Sequence, residues 1–162
     1  MHIVLYEPEI PPNTGNIARL CAGTQIELHL IEPLGFSLDD KYLKRAGLDY
    51  WPYVKLSVWK DFESYLNMVG KHHRLVMTSA RGGKSLHTFS FSKNDALIFG
   101  PETRGLPQEI LNLSPYRVKI PIFNTIRSLN LSTSAGIILY QALAGSGILD
   151  EWEQLDMNII KK

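Results

Sequence analysis

The amino-acid sequence predicts an α/β fold, a mostly parallel sheet flanked by helices. Three observations carry that prediction. Short apolar runs at residues 2–6, 28–31, 74–78 and 96–99 have the length and the flanking residues of buried strands. Helix-period stretches fall between and after them, and strands alternating with helices are the signature of parallel βαβ units. Finally, three loops rich in polar residues sit just beyond apolar runs, where open α/β sheets hold their ligands.

Taken in order, residues 2–6 read as the first strand and Glu7-Pro8-Glu9-Ile10-Pro11-Pro12 as a stiff exit from it. Residues 13–16 start a helix, with Asn13, Thr14 or Asn16 as candidate caps, and residues 17–22 continue it. The second strand, 28–31, stops at Pro33. Residues 39–46 read as a short surface helix, 53–58 as a strand, and 61–69 as a helix with Phe62, Tyr65, Leu66 and Val69 on one stripe. A strand over 74–78, a loop over 81–85 and a strand over 96–99 follow. Residues 107–113 make a brief helix, 117–122 the last strand, and Asn130 caps a helix from about 131 to about 144.

That final helix has no charged residue between Leu131 and Ala144. Leu131, Ala135, Ile138, Leu139, Ala142 and Leu143 form one stripe; Ser134, Gly136, Ile137, Tyr140 and Ala144 cover the rest. A helix without a charged face is normally buried on several sides. In a chain this short a subunit interface is a natural place for it, so a homodimer is expected.

Composition sets the outer bounds. At 162 residues the chain reads as a single domain over 1–162, and 44% hydrophobic with 20% charged residues is the profile of a soluble globular protein. No apolar run reaches the roughly 18 residues of a membrane helix, and the N-terminus lacks a basic leader with a small-residue cleavage site. The lone Cys21 fits a reducing, cytoplasmic setting. Net charge is +1, from 17 basic and 16 acidic side chains, so any electrostatic footprint for a nucleic acid must be local.

Most common chemistries lack their motifs. Gly83-Lys84-Ser85 resembles the end of a P-loop, but Thr78 stands where its first glycine belongs. No G-x-G-x-x-G follows the first strand and no G-x-S-x-G elbow occurs. His2, His29, His72, His73 and His87 show no H-E-x-x-H spacing, so a metal site has little support. The densest stretch is Phe99-Gly100-Pro101-Glu102-Thr103-Arg104-Gly105-Leu106-Pro107, with two glycines, two prolines and an ionic pair of residue types in nine positions. Glycine admits close approach and proline fixes the path, which suits the floor of a binding site.

Three segments in this order resemble the motifs of the SPOUT-class RNA 2′-O-ribose methyltransferases: Asn13-Thr14-Gly15-Asn16-Ile17-Ala18-Arg19, the floor loop, and Ile120-Pro121-Ile122 running into Arg127-Ser128-Leu129-Asn130-Leu131-Ser132. Within that class, the Glu7–Asn16 stretch, Gly47-Leu48-Asp49-Tyr50 and the full floor loop are similar to the small TrmL (YibK) type. The likeness runs from about residue 2 to about residue 144. It implies a sheet whose C-terminal part is threaded into a deep trefoil knot, which base rates would otherwise disfavour. It implies S-adenosylmethionine as cofactor, with Thr78, Gly100, Ile120 and Ser128 lining its pocket and no metal required. It implies methylation of the ribose 2′-hydroxyl at the wobble nucleotide (cytidine or 5-carboxymethylaminomethyluridine) of leucine tRNAs, held by the anticodon stem-loop. Arg19 resembles the catalytic arginine, with Asn13 and Tyr140 as helpers. The alternatives are the same fold acting on ribosomal RNA, or a non-enzymatic RNA-binding factor.

By residue type alone, other roles stand beside these. Arg19 also suits a helix-surface arginine paired with Glu7 or Glu9, and Glu102 with Arg104 suits a salt bridge inside the turn. Gly100 and Gly105 suit ordinary turn glycines, Ser128 and Asn130 suit caps, and Tyr140 suits core or interface. Lys41, Lys44 and Arg45, then Arg81 and Lys84, are the candidates for RNA contact.

Overall fold

The computed structural model describes residues 1–38, 50–123 and 125–160. Among them, seven strands form one sheet: β1 (His2–Tyr6), β2 (Glu27–Ile31), β3 (Leu56–Trp59), β4 (Arg74–Thr78), β5 (Lys84–Ser85), β6 (Asp95–Phe99) and β7 (Arg117–Lys119). Their order is β3-β2-β1-β6-β4-β7-β5, and every adjacent pair is parallel. The α/β parallel architecture expected from the sequence is present.

β1 lies inside the sheet, with His2 opposite Glu27 of β2 on one side and Ala96 of β6 on the other. Its residues are apolar in succession because both faces are covered. Ile3 and Leu5 pack with α1 (Pro11–Thr24), α4 (Leu131–Gly145) and α5 (Ile148–Ile160). Val4 packs on the opposite face with α2 (Phe62–Met68) and α3 (Gln108–Leu111). Cys21 is buried in the first of these cores, where burial pushes its thiol up to about 12 and leaves it a small inert hydrophobe.

Several elements depart from the sequence reading, each for a local reason. α1 begins at Pro11, with Ile10 at the N-cap and no side-chain cap; the proline supplies a preset φ at the first helical position. The strand expected over 53–58 opens instead as a tight turn, Trp51–Tyr53, and pairing starts only at Leu56. β7 stops at Lys119 because Pro121 has no N–H for a ladder, so residues 120–123 leave the sheet. The 81–85 loop contains β5, reached through Gly83 at φ +96, where a Cβ would lie 2.9 Å from the Arg117 carbonyl carbon. α5 was not anticipated; Ile148, Leu149 and Trp152 pack it on the core, and Glu151 pairs with Lys93. The helix expected over 39–46 lies outside the described residues.

α4 divides as its sequence stripes suggest. Ala135, Ile138, Leu139, Ala142 and Leu143 are buried in the core of this chain, while Ile137 is 39% and Tyr140 51% exposed.

The N-terminal edge of the sheet holds a packed histidine cluster. The His2 ring lies 4.6 Å from that of His29 and 4.4 Å from that of His73. His2 Nε2 shares a 2.7 Å hydrogen bond with the Tyr65 hydroxyl, and Trp59 Nε1–H donates to His29 Nδ1 at 2.9 Å. Burial first, then the neighbouring imidazoles, lowers the His2 pKa to about 2; burial also lowers His29 and His73. Because the folded pKa values lie below the unfolded value of 6.5, the unfolded chain binds more protons as pH falls. Stability is therefore full above about pH 6.5 and declines below it. His2→Phe is expected to make the pH dependence of urea-unfolding free energy shallower between about pH 6.5 and about pH 4.5; an unchanged slope removes His2 from this account.

Candidate active site

The C-terminal ends of β1, β4, β6 and β7 deliver four loops to one edge of the sheet. Between them lies a cleft of about 770 Å³, lined by residues from the 79–81 and 99–106 loops, the 120–130 segment and the start of α4. Sheets of this type place their crevice at that edge.

Glu102 ties these loops together. Its carboxylate accepts hydrogen bonds from the backbone N–H of Glu9 at 2.9 Å, the N–H of Ile10 at 3.2 Å and the Asn13 amide Nδ2 at 2.9 Å. A carboxylate from a loop some ninety positions away thus sits at the N-terminus of α1, where backbone donors and the helix dipole favour negative charge. Asn13, one of three candidate caps for α1, does not cap it. Instead it is buried, and both ends of its amide are used: Nδ2 on Glu102 and Oδ1 accepting from Asn130 Nδ2 at 2.9 Å.

Asn130 completes the chain of bonds. Its Oδ1 accepts from the backbone N–H groups of Ser132 at 2.9 Å and Thr133 at 3.3 Å, the cap role expected for it at α4. Those donors fix which end of the Asn130 amide is oxygen. That orientation makes its nitrogen face Asn13, and Asn13 in turn donates to Glu102.

The turn-internal salt bridge considered for Glu102 and Arg104 is not what forms. Arg104 pairs with Glu7, while Glu9 accepts from the Thr103 N–H at 3.0 Å and the Thr103 hydroxyl at 2.9 Å. The two loops therefore exchange carboxylates, each side clasping the other. Gly100 is required by the loop itself. A Cβ there would lie 2.2 Å from the Leu106 nitrogen and 2.4 Å from the Gly105 carbonyl carbon, so the loop's own backbone excludes any side chain. Gly105, at φ +69, makes the turn that brings that backbone in.

The four residues expected around a cofactor, Thr78, Gly100, Ile120 and Ser128, all line this one cleft, together with Asn13. Thr78 also donates its hydroxyl to the Ile98 carbonyl at 2.9 Å, tying β4 to β6 at the rim. Arg19 and Tyr140 are not in the lining. Six residues along a helix turn a side chain by about 240°, so Arg19 and Asn13 leave α1 on different faces. Arg19 is exposed, its guanidinium carbon 5.7 Å from the Tyr50 ring centre. The Tyr50 hydroxyl in turn donates to the Gly15 carbonyl at 3.0 Å. The surface pairing of Arg19 with Glu7 or Glu9 is absent, since those carboxylates serve Arg104 and Thr103.

Of the proposed RNA contacts, Arg81 lines the cleft. Lys84 lies instead in a separate hollow of about 550 Å³ with Arg74, Phe89 and Tyr116, and Lys41, Lys44 and Arg45 fall outside the described residues. Arg127, part of the third motif segment, lines the cleft as well. The Glu102–Asn13–Asn130 relay has no local signal in the sequence, because its partners are 89 and 117 positions apart.

Residues 1–140 match the model of the SpoU rRNA Methylase family. The chain belongs to the SpoU methylase family. A protein named tRNA (cytidine(34)-2′-O)-methyltransferase, from Methylovorus glucosotrophus, is 51% identical to this SpoU-family chain over 142 residues, covering 86% of this chain and 92% of that one. A structure solved for insight into the 2-OH methylation of C/U34 on tRNA is 47% identical, covers 89% of this chain and 94% of its own, and superposes with a TM-score of 0.85. At 24% identity, the SpoU methyltransferase AviRb from Streptomyces viridochromogenes, in complex with the cofactor AdoMet, shares the fold over 89% of this chain and 59% of that one, with a TM-score of 0.79.

Removing the hub of the relay should loosen the whole site. Glu102→Ala is expected to cost about 2 kcal/mol of stability, the scale of losing charge-assisted hydrogen bonds that leave buried donors unmet. Chemical denaturation measures it; a loss within about 0.5 kcal/mol of wild type would show the loops to be held by other contacts.

Proposed function

We propose that this chain is an S-adenosylmethionine-dependent tRNA methyltransferase acting on the ribose 2′-hydroxyl of nucleotide 34. The observation that carries the reading is the cleft clasped by Glu102, Asn13 and Asn130, in a chain of the SpoU family whose relatives are named for cytidine-34 methylation. The finer reading has leucine tRNAs as substrates, with cytidine or a modified uridine at the wobble position and recognition through the anticodon stem-loop; it rests on the sequence resemblance. So does the deep trefoil knot in the C-terminal part, whereas the single domain over 1–162 rests on chain length and a cytoplasmic location on the lone Cys21.

The residues present fit the proposed cofactor. A cleft of about 770 Å³ suits a nucleoside-sized molecule, and its lining alternates apolar Ile120 and Ile122 with polar Thr78 and Ser128. The bare backbone at Gly100 lies at its floor. These residues would hold S-adenosylmethionine, which when bound supplies a methyl group made electrophilic by its sulfonium.

The protein's part is positioning and electrostatics. Asn13 has both amide ends committed, so it is a positioning residue that sets the loop rather than a group that touches the sugar. Arg19 orients the 2′-hydroxyl and stabilises the developing alkoxide; a guanidinium hardly deprotonates, so a backbone phosphate of the RNA accepts the proton.

Arg19 and Tyr140 lie outside their own cleft, and a second copy docked on the uncharged outer face of α4 supplies a way to complete the site. Ile137 and Tyr140 are exposed on that face, so a homodimer there covers apolar surface, and α4 packs against α1, the helix that carries Arg19. No helix among the described residues is long and apolar enough to cross a membrane.

Incubation with radiolabelled S-adenosylmethionine and either unmodified tRNA or ribosomal RNA, followed by mass mapping, tests the assignment. Methyl transfer confined to nucleotide 34 of tRNA is expected; transfer to ribosomal RNA alone would replace it with the second RNA reading. Arg19→Ala should reduce turnover at least 100-fold while S-adenosylhomocysteine affinity, by calorimetry, stays within twofold. Full activity in that variant removes Arg19 from the mechanism. Ile137→Glu should convert the dimer to monomer in sedimentation with the fold intact, and a persistent dimer would place the interface elsewhere. Ile138, 2% exposed in the core, is the wrong position for that test.

A further inference from the structure

The outer lip of the cleft carries a feature that cofactor binding leaves unused. Ile122 lines the cleft, but the next side chain, Phe123, turns away and is 90% exposed. It is the most exposed large apolar residue among those described, and Ile126 nearby is 53% exposed. An aromatic ring left this bare in water forgoes a large burial, and single-stranded nucleic acids offer flat partners of the right size.

The charges around it favour one occupant. Arg127, in the same segment, and Arg81, on the 79–81 loop, both line the cleft and are exposed. Among the described residues neither has a carboxylate partner, in contrast to Arg104 with Glu7 and Arg74 with Asp95. Glu102 is the only carboxylate in the described lining, and its oxygens are turned inward on Glu9, Ile10 and Asn13. The lip is therefore locally cationic in a chain whose net charge is only +1. An aromatic face at the end of a cleft lined by two uncompensated guanidiniums is the recognition chemistry of an unpaired nucleotide: a base to stack and phosphates to neutralise.

We propose that Phe123 is the stacking platform for an unpaired base adjoining the methylated nucleotide, with Arg127 and Arg81 neutralising the flanking phosphates. This deepens the reading of the cleft as an RNA ribose methylation site and rests on it. Stacking holds the strand at the lip, so that the neighbouring ribose enters the cleft and stays there. The platform is sequence-tolerant, because every base presents a flat face.

The test uses the full-length protein saturated with S-adenosylhomocysteine and a fluorescein-labelled anticodon stem-loop RNA. A second RNA carries 2-aminopurine beside the target nucleotide. Phe123→Ala should weaken RNA binding roughly tenfold, as loss of one base–aromatic stack does, and should abolish the quenching of 2-aminopurine. Phe123→Trp should preserve both. Arg127→Ala should lower the slope of log affinity against log salt by about 0.7, the value for one phosphate contact on a single strand, whereas Phe123→Ala leaves that slope unchanged. S-adenosylhomocysteine affinity should be the same in both Phe123 variants.

Wild-type RNA affinity and quenching in Phe123→Ala would overturn the proposal. So would a parallel loss of S-adenosylhomocysteine affinity, which would make Phe123 a cover for the cofactor. Dissociation of an oligomer in Phe123→Ala, seen by sedimentation, would reassign it to a protein contact. Failure of the wild-type chain to bind any RNA would bring down the methyltransferase reading itself, an outcome separate from those three.

Discussion

The site depends on one carboxylate doing a helix cap's work from another part of the chain. α1 starts at a proline, and its N-cap, Ile10, has no side chain able to accept a hydrogen bond. The donors left over at that end would face a closed, partly buried environment. Glu102 meets them, and through Asn13 it is linked to Asn130 and the first turn of α4. Two helix N-termini and the floor loop are thereby held by a single run of hydrogen bonds. The reverse clasp, Glu9 on Thr103 and Glu7 on Arg104, makes the same contact from the other side. Prolines in both loops limit the conformations from which this arrangement must be reached.

Much of the architecture was legible because it is written in local pattern. β1, β2, β4 and β6 announced themselves as continuous apolar runs, and α4 as a helix without charge whose buried stripe matches the residues that fill the core. The grouping of Thr78, Gly100, Ile120 and Ser128 around one cleft also agreed with the motif order. What could not be read was long-range. Nothing adjacent to Asn13 indicates that its amide belongs to Asn130, and nothing beside Glu102 says that its partners are backbone donors ninety positions earlier. β5 is two residues long and exists only because Gly83 lets the chain reach the edge of β7. α5 lies beyond the last helix expected from the sequence, and Ile148, Leu149 and Trp152 seat it on the core.

Gly100 shows that a motif residue can be required by the loop before any ligand is considered. A Cβ there would collide with the loop itself, whose Leu106 nitrogen occupies its place. The residue shapes the floor before anything binds. Preorganisation of this kind reduces the ordering that binding must accomplish. Arg19 illustrates the opposite case, a candidate whose chemistry suits the reaction but whose own cleft lies round the helix from it.

The interior position of β1 has a bearing on how the molecule is made. The first strand to emerge during synthesis finds β2 soon after, but its other neighbour, β6, is more than ninety residues later. Pairings of such high sequence separation are slow to close and leave unpaired strand edges exposed meanwhile. The N-terminal half of the nascent chain is thus a half-sheet with an open edge until the second half leaves the ribosome. Only then do Glu102 and Asn130 arrive to finish α1. A product that ended before β6 would present an open β1 edge and no cleft.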